Sequence, residues 1–251
     1  MVKNRFIRWA FSKYCMFFNR IGVPDFSKSF YVASSFLPWV RMYSKDIPAE
    51  FAPLGISDAE MKPGSRKIYN DNISKITLFY GGTLTLQFDI MPVLKAVSRS
   101  NRNVELVLAG DDGSGERFKE VIDFAEGNSL SYVNHGCLPK GKFLDALKSS
   151  DIVIIPMVSG GLPKKFFDAI GSYKPILCLG EGAVADEVRR FGLGWVCDFN
   201  DLQVESILGL IDKTQLSDVI ASIDDVIDRY KEQKSMELIH DAALELFQCG
   251  S

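Results

Sequence analysis

Three short stretches bring together the residue types that anion chemistry needs: Tyr80-Gly81-Gly82-Thr83, Gly110-Asp111-Asp112-Gly113, and Ser159-Gly160-Gly161-Leu162-Pro163-Lys164-Lys165-Phe166-Phe167-Asp168. In the third, two glycines precede a proline suited to a first helical turn. A helix start built this way leaves backbone N–H groups without intrahelical partners and favours negative charge. Lys165 and Asp168 are three residues apart, about 4.5 Å of helical rise, which puts a cation for a phosphate one turn from a carboxylate. Such a carboxylate can accept hydrogen bonds from ribose hydroxyls, as an acidic residue does in dinucleotide sites. On spacing alone, a surface ion pair of about 0.2–0.5 kcal/mol is the simpler account of the two residues.

Gly81 and Gly82 allow close approach of backbone N–H groups to a phosphate, with Thr83 completing the loop. A tight strand-to-helix turn would use the same residues, and the dinucleotide fingerprint G-x-G-x-x-G is absent from this loop, which disfavours a dehydrogenase. Gly110 opens a second loop whose aspartates are accounted for by turn chemistry more simply than by a metal. His135 stands beside Gly136 at a strand end, where a lone histidine is more often a polar loop residue than a ligand contact.

These loops need a scaffold, and the hydrophobic pattern supplies one. From about residue 76, short apolar runs (ITLFYGG, VELVLAG, LSYVNHG, DIVIIPM, PILCLG, GWVCD) alternate with helical stretches (FDIMPVLKAV, GERFKEVIDFAEG, KFLDALKSS, PKKFFDAIGSY, VADEVRRFG). That alternation predicts right-handed βαβ crossovers and a Rossmann-like parallel sheet with helices on both faces, an α/β fold. Ligands of such sheets bind beyond the carboxyl ends of the strands, so the loops after Phe79, Ala109, His135 and Met157 are where chemistry is expected. Before residue 76 the pattern is weaker. The stretch from Val2 to Ile21 fits an amphipathic helix, SFYVASSFLPWV a strand followed by a helix, and the polar stretch from residue 58 to 75 a linker.

Composition removes several function classes. At 251 residues with 47% hydrophobic and 24% charged side chains, the chain can bury a sizeable core. A net charge of -3 does not suit a nucleic-acid binder. Five cysteines without a C-x-x-C pair, and only two histidines, suit a reducing cytoplasm and argue against a disulfide framework or a zinc site. The longest apolar run, Ile152 to Val158, is strand-sized and far below the length of a spanning helix. Basic residues dominate the first thirty positions, whereas acids dominate from 201 onward. Arg8 and Lys13 interrupt what would have to be the apolar region of a signal peptide, leaving peripheral membrane contact or domain packing as the expected role of the first helix.

The ordered series of motifs resembles the donor-binding, C-terminal half of GT-B glycosyltransferases, especially the glycosyltransferase family 4 group. PKKFFDAIGSYKPILCLGEGAVADEVRRFGLGWV is similar to the family's donor motif, ITLFYGGTL to its first strand and glycine loop, VELVLAGDDG to the second, and VNHGCLPKGKFLDALKSSDIVIIP to the segment before the donor motif, together covering 76 to about 212. The resemblance implies transfer of a hexose from a UDP- or GDP-sugar to a glycan or lipid-linked acceptor, with retention and no metal or other cofactor. It also implies donor contacts from Gly81, Gly82, Thr83, Gly110, His135, Gly160, Gly161, Leu162, Lys165 and Asp168, with Lys165 and Asp168 closest to the chemistry.

Two departures stand out. In the family's E-x7-E motif Asp168 takes the second place but Gly160 the first, and the two diphosphate-binding cations align with Thr83 and Phe88. Lys165, matching the lysine of P-x-K-x-x-E variants, is the remaining cation. The second departure is the acceptor domain: YVASSFLPWVRMYSKDIPAEFAPLGIS resembles only the end of it. The implied organisation is an N-terminal remnant over 1–57, a linker over 58–75, the donor domain over 76–234 and a C-terminal helix over 235–251. The chain is then a fragment, a non-catalytic remnant, or one subunit of an enzyme completed by a separate N-terminal half.

Overall fold

The computed structural model describes residues 28–33, 36–43, 47–57, 60–61, 69, 73–85, 88–111, 113, 115–157 and 160–249. The amphipathic helix expected over residues 2–21 lies outside them, as do Asp112 and Ser159.

Two short strands, β1 (Ser29–Tyr31) and β2 (Ala49–Phe51), pair in parallel around helix α1 (Leu37–Tyr43). The main body then alternates as expected: β3 (Ile76–Gly81), α2 (Met91–Arg99), β4 (Val104–Ala109), α3 (Glu116–Gly127), β5 (Ser131–Asn134), α4 (Lys140–Ser149), β6 (Ile152–Pro156), α5 (Lys164–Gly171), β7 (Ile176–Leu179), α6 (Ala183–Phe191) and β8 (Gly194–Cys197). Helices α7 (Asp201–Leu210) and α8 (Lys213–Val226), a 3-10 turn (Ile227–Tyr230) and α9 (Glu232–Cys249) follow. The last helix therefore starts at 232, three residues before the expected boundary.

All six main strands are parallel, in the order β5-β4-β3-β6-β7-β8. The period-2 alternation of the strands sorts their side chains onto two faces. Leu78, Tyr80, Ile152, Ile154, Leu177 and Leu179 join one buried cluster with α2, α3 and α7. Phe79, Val153, Ile155, Ile176 and Cys178 join another with α5, α6 and Tyr230. Burial on both faces explains why β6 reads as an uninterrupted apolar run. Chain order reverses between β3 and β6, and a doubly wound sheet opens its ligand crevice at such a reversal.

The segment expected to be a linker is partly integrated. Tyr69 is buried in the first cluster, and Glu60 is buried in an ion-pair cluster. Upstream, Ile56 N–H donates to the Tyr230 carbonyl at 2.7 Å, Glu232 N–H donates to the Ile56 carbonyl at 3.0 Å, and the Ser235 hydroxyl donates to the Pro53 carbonyl at 3.0 Å. Residues 53–57 are thereby fastened to the start of α9. The polar composition of residues 58–75 marks a linker, but composition does not report ion pairs as distant as those of Glu60 with Lys140 and Lys164.

Candidate functional site

The loops after β3, β4 and β5 are stacked by backbone contacts. Gly82 N–H donates to the Ala109 carbonyl at 2.9 Å, and Gly110 N–H donates to the Gly136 carbonyl at 2.8 Å. At φ +153°, Gly110 leaves so little room that a Cβ would sit 2.0 Å from the Gly82 carbonyl oxygen. Only glycine permits that approach. The stacked loops enclose one side of a cavity of about 280 Å³, lined by Gly82, Thr83, Gly110, Cys137, Leu138 and Phe143 among others. Phe143 stands edge-on to Phe79 at 5.3 Å between ring centroids, and its ring fills the space where a Gly81 side chain would begin.

Helix α5 begins across the crevice, after the loop that follows β6. Pro163 occupies the N-cap position and no side chain caps the helix. Lys165 turns toward the β3 loop: its ammonium lies 3.4 Å from where a Gly82 Cβ would be. It also sits 5.0 Å from the Tyr80 ring centroid and 4.8 Å from that of Phe88. Burial between these rings pushes Lys165 down from 10.5 to about 8. No carboxylate pairs with this ammonium among the described residues. A cation walled by aromatic faces beside a glycine loop is available to an incoming anion.

The expected surface pair between Lys165 and Asp168 does not form. Asp168 is 8% exposed, and its neighbouring ammonium is that of Lys164, 3.8 Å from Oδ1 in the i,i+4 relation. The reason is angular: successive helix residues point about 100° apart, so Lys164 and Lys165 face different surroundings. Burial raises the Asp168 carboxyl above its usual value; Lys164 and Lys140 oppose this and Glu60 adds to it. Glu60 completes the group, accepting hydrogen bonds from Lys140 and, at 2.9 Å, from Lys164.

The remaining predicted positions divide. Gly82, Thr83 and Gly110 border the cavity, and the Thr83 carbonyl accepts the Tyr80 hydroxyl at 2.7 Å. Gly160, exposed at φ +122°, and Gly161, packed against the Phe36 ring, form the turn before the buried Leu162. His135 is exposed outside the cavity lining, its backbone N–H donating to the Leu108 carbonyl at 2.9 Å. No local motif singles out Glu60, Lys140, Phe143 or Leu138. Phe143 and Leu138 carried only the signal of lying in and just before a helix that follows a strand. Glu60 carried none, being 80 residues from Lys140 and 104 from Lys164. Among the described residues no cluster of three or more His, Cys, Asp or Glu could hold a metal, and no helix is long and apolar enough to cross a membrane.

No protein-family model and no curated protein sequence matches the chain. Solved structures do. The HepE protein of Anabaena, in complex with UDP and glucose, superposes with a TM-score of 0.67 at 12% identity, over 87% of this chain and 63% of that one. The lipopolysaccharide outer core galactosyltransferase WaaB gives 0.64 at 12% identity over 87% and 62%. Sucrose-phosphate synthase of Thermosynechococcus elongatus gives 0.70 at 14% identity over 88% and 58%.

The fold is that of the GT-B glycosyltransferases. The chain spans less than two thirds of the length of each of these proteins. At such low identity the likeness shows the fold alone.

Proposed function

We propose that the chain is the C-terminal, donor-binding half of a GT-B glycosyltransferase similar to family 4. In this reading it transfers a hexose from a UDP- or GDP-sugar to a glycan or lipid-linked acceptor, with retention, in polysaccharide or glycan assembly. The observation that carries the reading is the Lys165 ammonium, without a carboxylate partner among the described residues, held beside the Gly82 loop at the strand-order reversal. Support comes from HepE, which shares the fold and was solved with UDP and with UDP-glucose.

In this reading the diphosphate lies between the Gly81-Gly82-Thr83 loop and the start of α5. Lys165, the backbone N–H groups and the helix dipole stabilise the charge that grows on the diphosphate as its bond to the sugar breaks. Lys165 stands beside Phe88, one of the two positions where the family's cations are missing, and so restores charge that the sequence lacks there. Leu138, Cys137 and Phe143 form the wall against which the base rests, and Asp168 accepts the ribose hydroxyls. A complementary N-terminal half would hold the acceptor in line with the donor carbon, since positioning is a large share of catalysis. Trp39 and Met42, 48% and 60% exposed on α1, are apolar surface for that half to cover.

A second reading, a non-catalytic nucleotide- or partner-binding remnant, is favoured by Gly160, which offers no carboxylate to a donor sugar. Calorimetry with UDP, GDP and NAD in the presence of a chelator tests the donor site: a diphosphate should bind and NAD should not. Folded protein that binds neither diphosphate would refute it. Hexose transfer after addition of a GT-B N-terminal half would favour the enzyme, and tight binding without transfer in that mixture would favour the remnant.

A further inference from the structure

Four charged side chains, Glu60, Lys140, Lys164 and Asp168, meet at the first turns of α4 and α5. Glu60 accepts hydrogen bonds from Lys140 and Lys164, the first residues of those helices, and from the Ser57 backbone N–H at 3.2 Å. Asp168 lies one turn along α5. Its Oδ1 is buried and accepts no hydrogen bond among the described residues, although the Lys164 ammonium is only 3.8 Å away. This arrangement needs an explanation, because a buried carboxylate oxygen without a donor is unfavourable and an i,i+4 lysine is well placed to supply one.

The explanation lies in Glu60. The Lys164 ammonium lies 2.9 Å from Glu60 and 3.8 Å from Asp168, within hydrogen-bond reach of the first carboxylate only. Glu60 cannot readily follow, because its segment is fastened upstream. At φ +79°, Gly55 packs so closely on Glu232 that a Cβ would sit 2.5 Å from the Glu232 Cα, and Ile56 is hydrogen-bonded on both sides to the Tyr230–Glu232 backbone. Lys140 holds the other carboxylate oxygen and also feels Glu232. Lys165 takes no part, since its ammonium lies against Tyr80 and Phe88.

We propose that Glu60 is a positioning residue that restrains Lys164 and so leaves the buried Asp168 carboxylate without a lysine hydrogen bond, its acceptor capacity kept for the hydroxyl groups of a bound ligand. The ligand side of this inference rests on the reading of Asp168 as the ribose acceptor. Without Glu60, Lys164 closes on Asp168 and becomes the competitor of those hydroxyls. The segment that joins the small β1–β2 unit to the sheet thus conditions the donor site without touching the donor.

A titration cycle on the full chain tests the restraint without any ligand. The Asp168 carboxyl is followed by carbon NMR in the parent, Lys164→Met, Glu60→Gln and the double variant. In the Glu60→Gln background, Lys164→Met should raise the Asp168 midpoint by about one pH unit, the scale of an opposite charge at contact distance. In the parent background the same substitution should raise it by less than about half of that. Equal shifts in the two backgrounds mean that the charges merely add, and would overturn the proposal. If Glu60→Gln does not fold, Glu60→Asp, which withdraws the carboxylate by one methylene, should show the same enlargement.

A second arm compares UDP with its 2′,3′-dideoxy analogue. The parent should prefer UDP by roughly tenfold, as expected for lost hydrogen bonds to a charged group, and Glu60→Gln should retain less than about a third of that preference. An undiminished preference in Glu60→Gln would overturn the link to the ligand. A parent indifferent to the hydroxyls would refute the ribose role of Asp168, whereas the titration cycle alone decides the restraint.

Discussion

Lys164 and Lys165 are neighbours in the chain, on the first turn of one helix, and the structure treats them oppositely. Lys164 is half exposed and paired with Glu60, with Asp168 just beyond; Lys165 is half-buried, its ammonium set against two aromatic rings with no carboxylate partner among the described residues. Identical chemistry therefore yields a structural cation on one side of α5 and an anion-seeking cation on the other. The difference arises from what the rest of the fold places opposite each residue: an acidic crossing segment for the first, and the glycine loop with Tyr80 and Phe88 for the second. A lysine whose charge is already matched has little left to offer a phosphate, whereas desolvation leaves the other in want of a counter-ion.

The strongest attempt to break this contrast is removal of each charge in turn. Lys165→Met should weaken UDP binding roughly 10–100-fold, the value of one charged hydrogen bond, and leave uridine binding within about threefold. Lys164→Met should change UDP affinity by less than about threefold, as its charge is already spent on Glu60. Calorimetry on the two variants decides, and equal losses would erase the distinction. Asp168→Ala should come next, weakening UDP and uridine alike by about tenfold through lost ribose contacts. A loss confined to UDP would place Asp168 at the diphosphate instead.

A subtler test uses pH. Lys165 has its midpoint lowered to about 8, and a bound diphosphate favours its charged form and raises that midpoint again. UDP affinity should therefore be greatest below pH 8 and decline above it, by up to about tenfold per pH unit until the bound midpoint is reached. Lys165→Arg, charged throughout, should bind with no such decline. A flat profile in the parent would mean that Lys165 does not meet the diphosphate.

The smallest expected effect is on the other side of the helix. Burial alone would raise Glu60, but hydrogen bonds from Lys140 and Lys164 outweigh it and hold the carboxyl at about 2 instead of 4.5. A lowered folded-state value means stability that is present above 4.5 and lost as pH falls toward 2. Urea unfolding between pH 5 and pH 2.5 should show that loss in the parent and a shallower one in Glu60→Gln. Identical slopes would show that the cluster contributes nothing to the acid response.

Much of this molecule follows from local pattern. The alternation of ITLFYGG, VELVLAG, DIVIIPM and PILCLG with helical stretches is enough to specify a parallel sheet covered on both faces, because strand and helix periods and the handedness of crossovers leave few other arrangements. The glycines of the β3 and β4 loops and the Pro163 helix start were also legible, since each is a demand of backbone geometry at its own position.

What local pattern did not determine was which lysine of the pair would face the crevice, whether Asp168 would be buried or paired at the surface, and that Glu60 would join them. Those outcomes depend on rotation about α5 and on contacts spanning 80 to 104 residues. The cavity wall of Leu138 and Phe143 depends likewise on where α4 comes to rest against the β3 loop. Periodicity assigns a residue to a face, but only the packed chain decides which charge stands opposite it. That is why the sheet could be read from 251 letters and the electrostatics of its crevice could not.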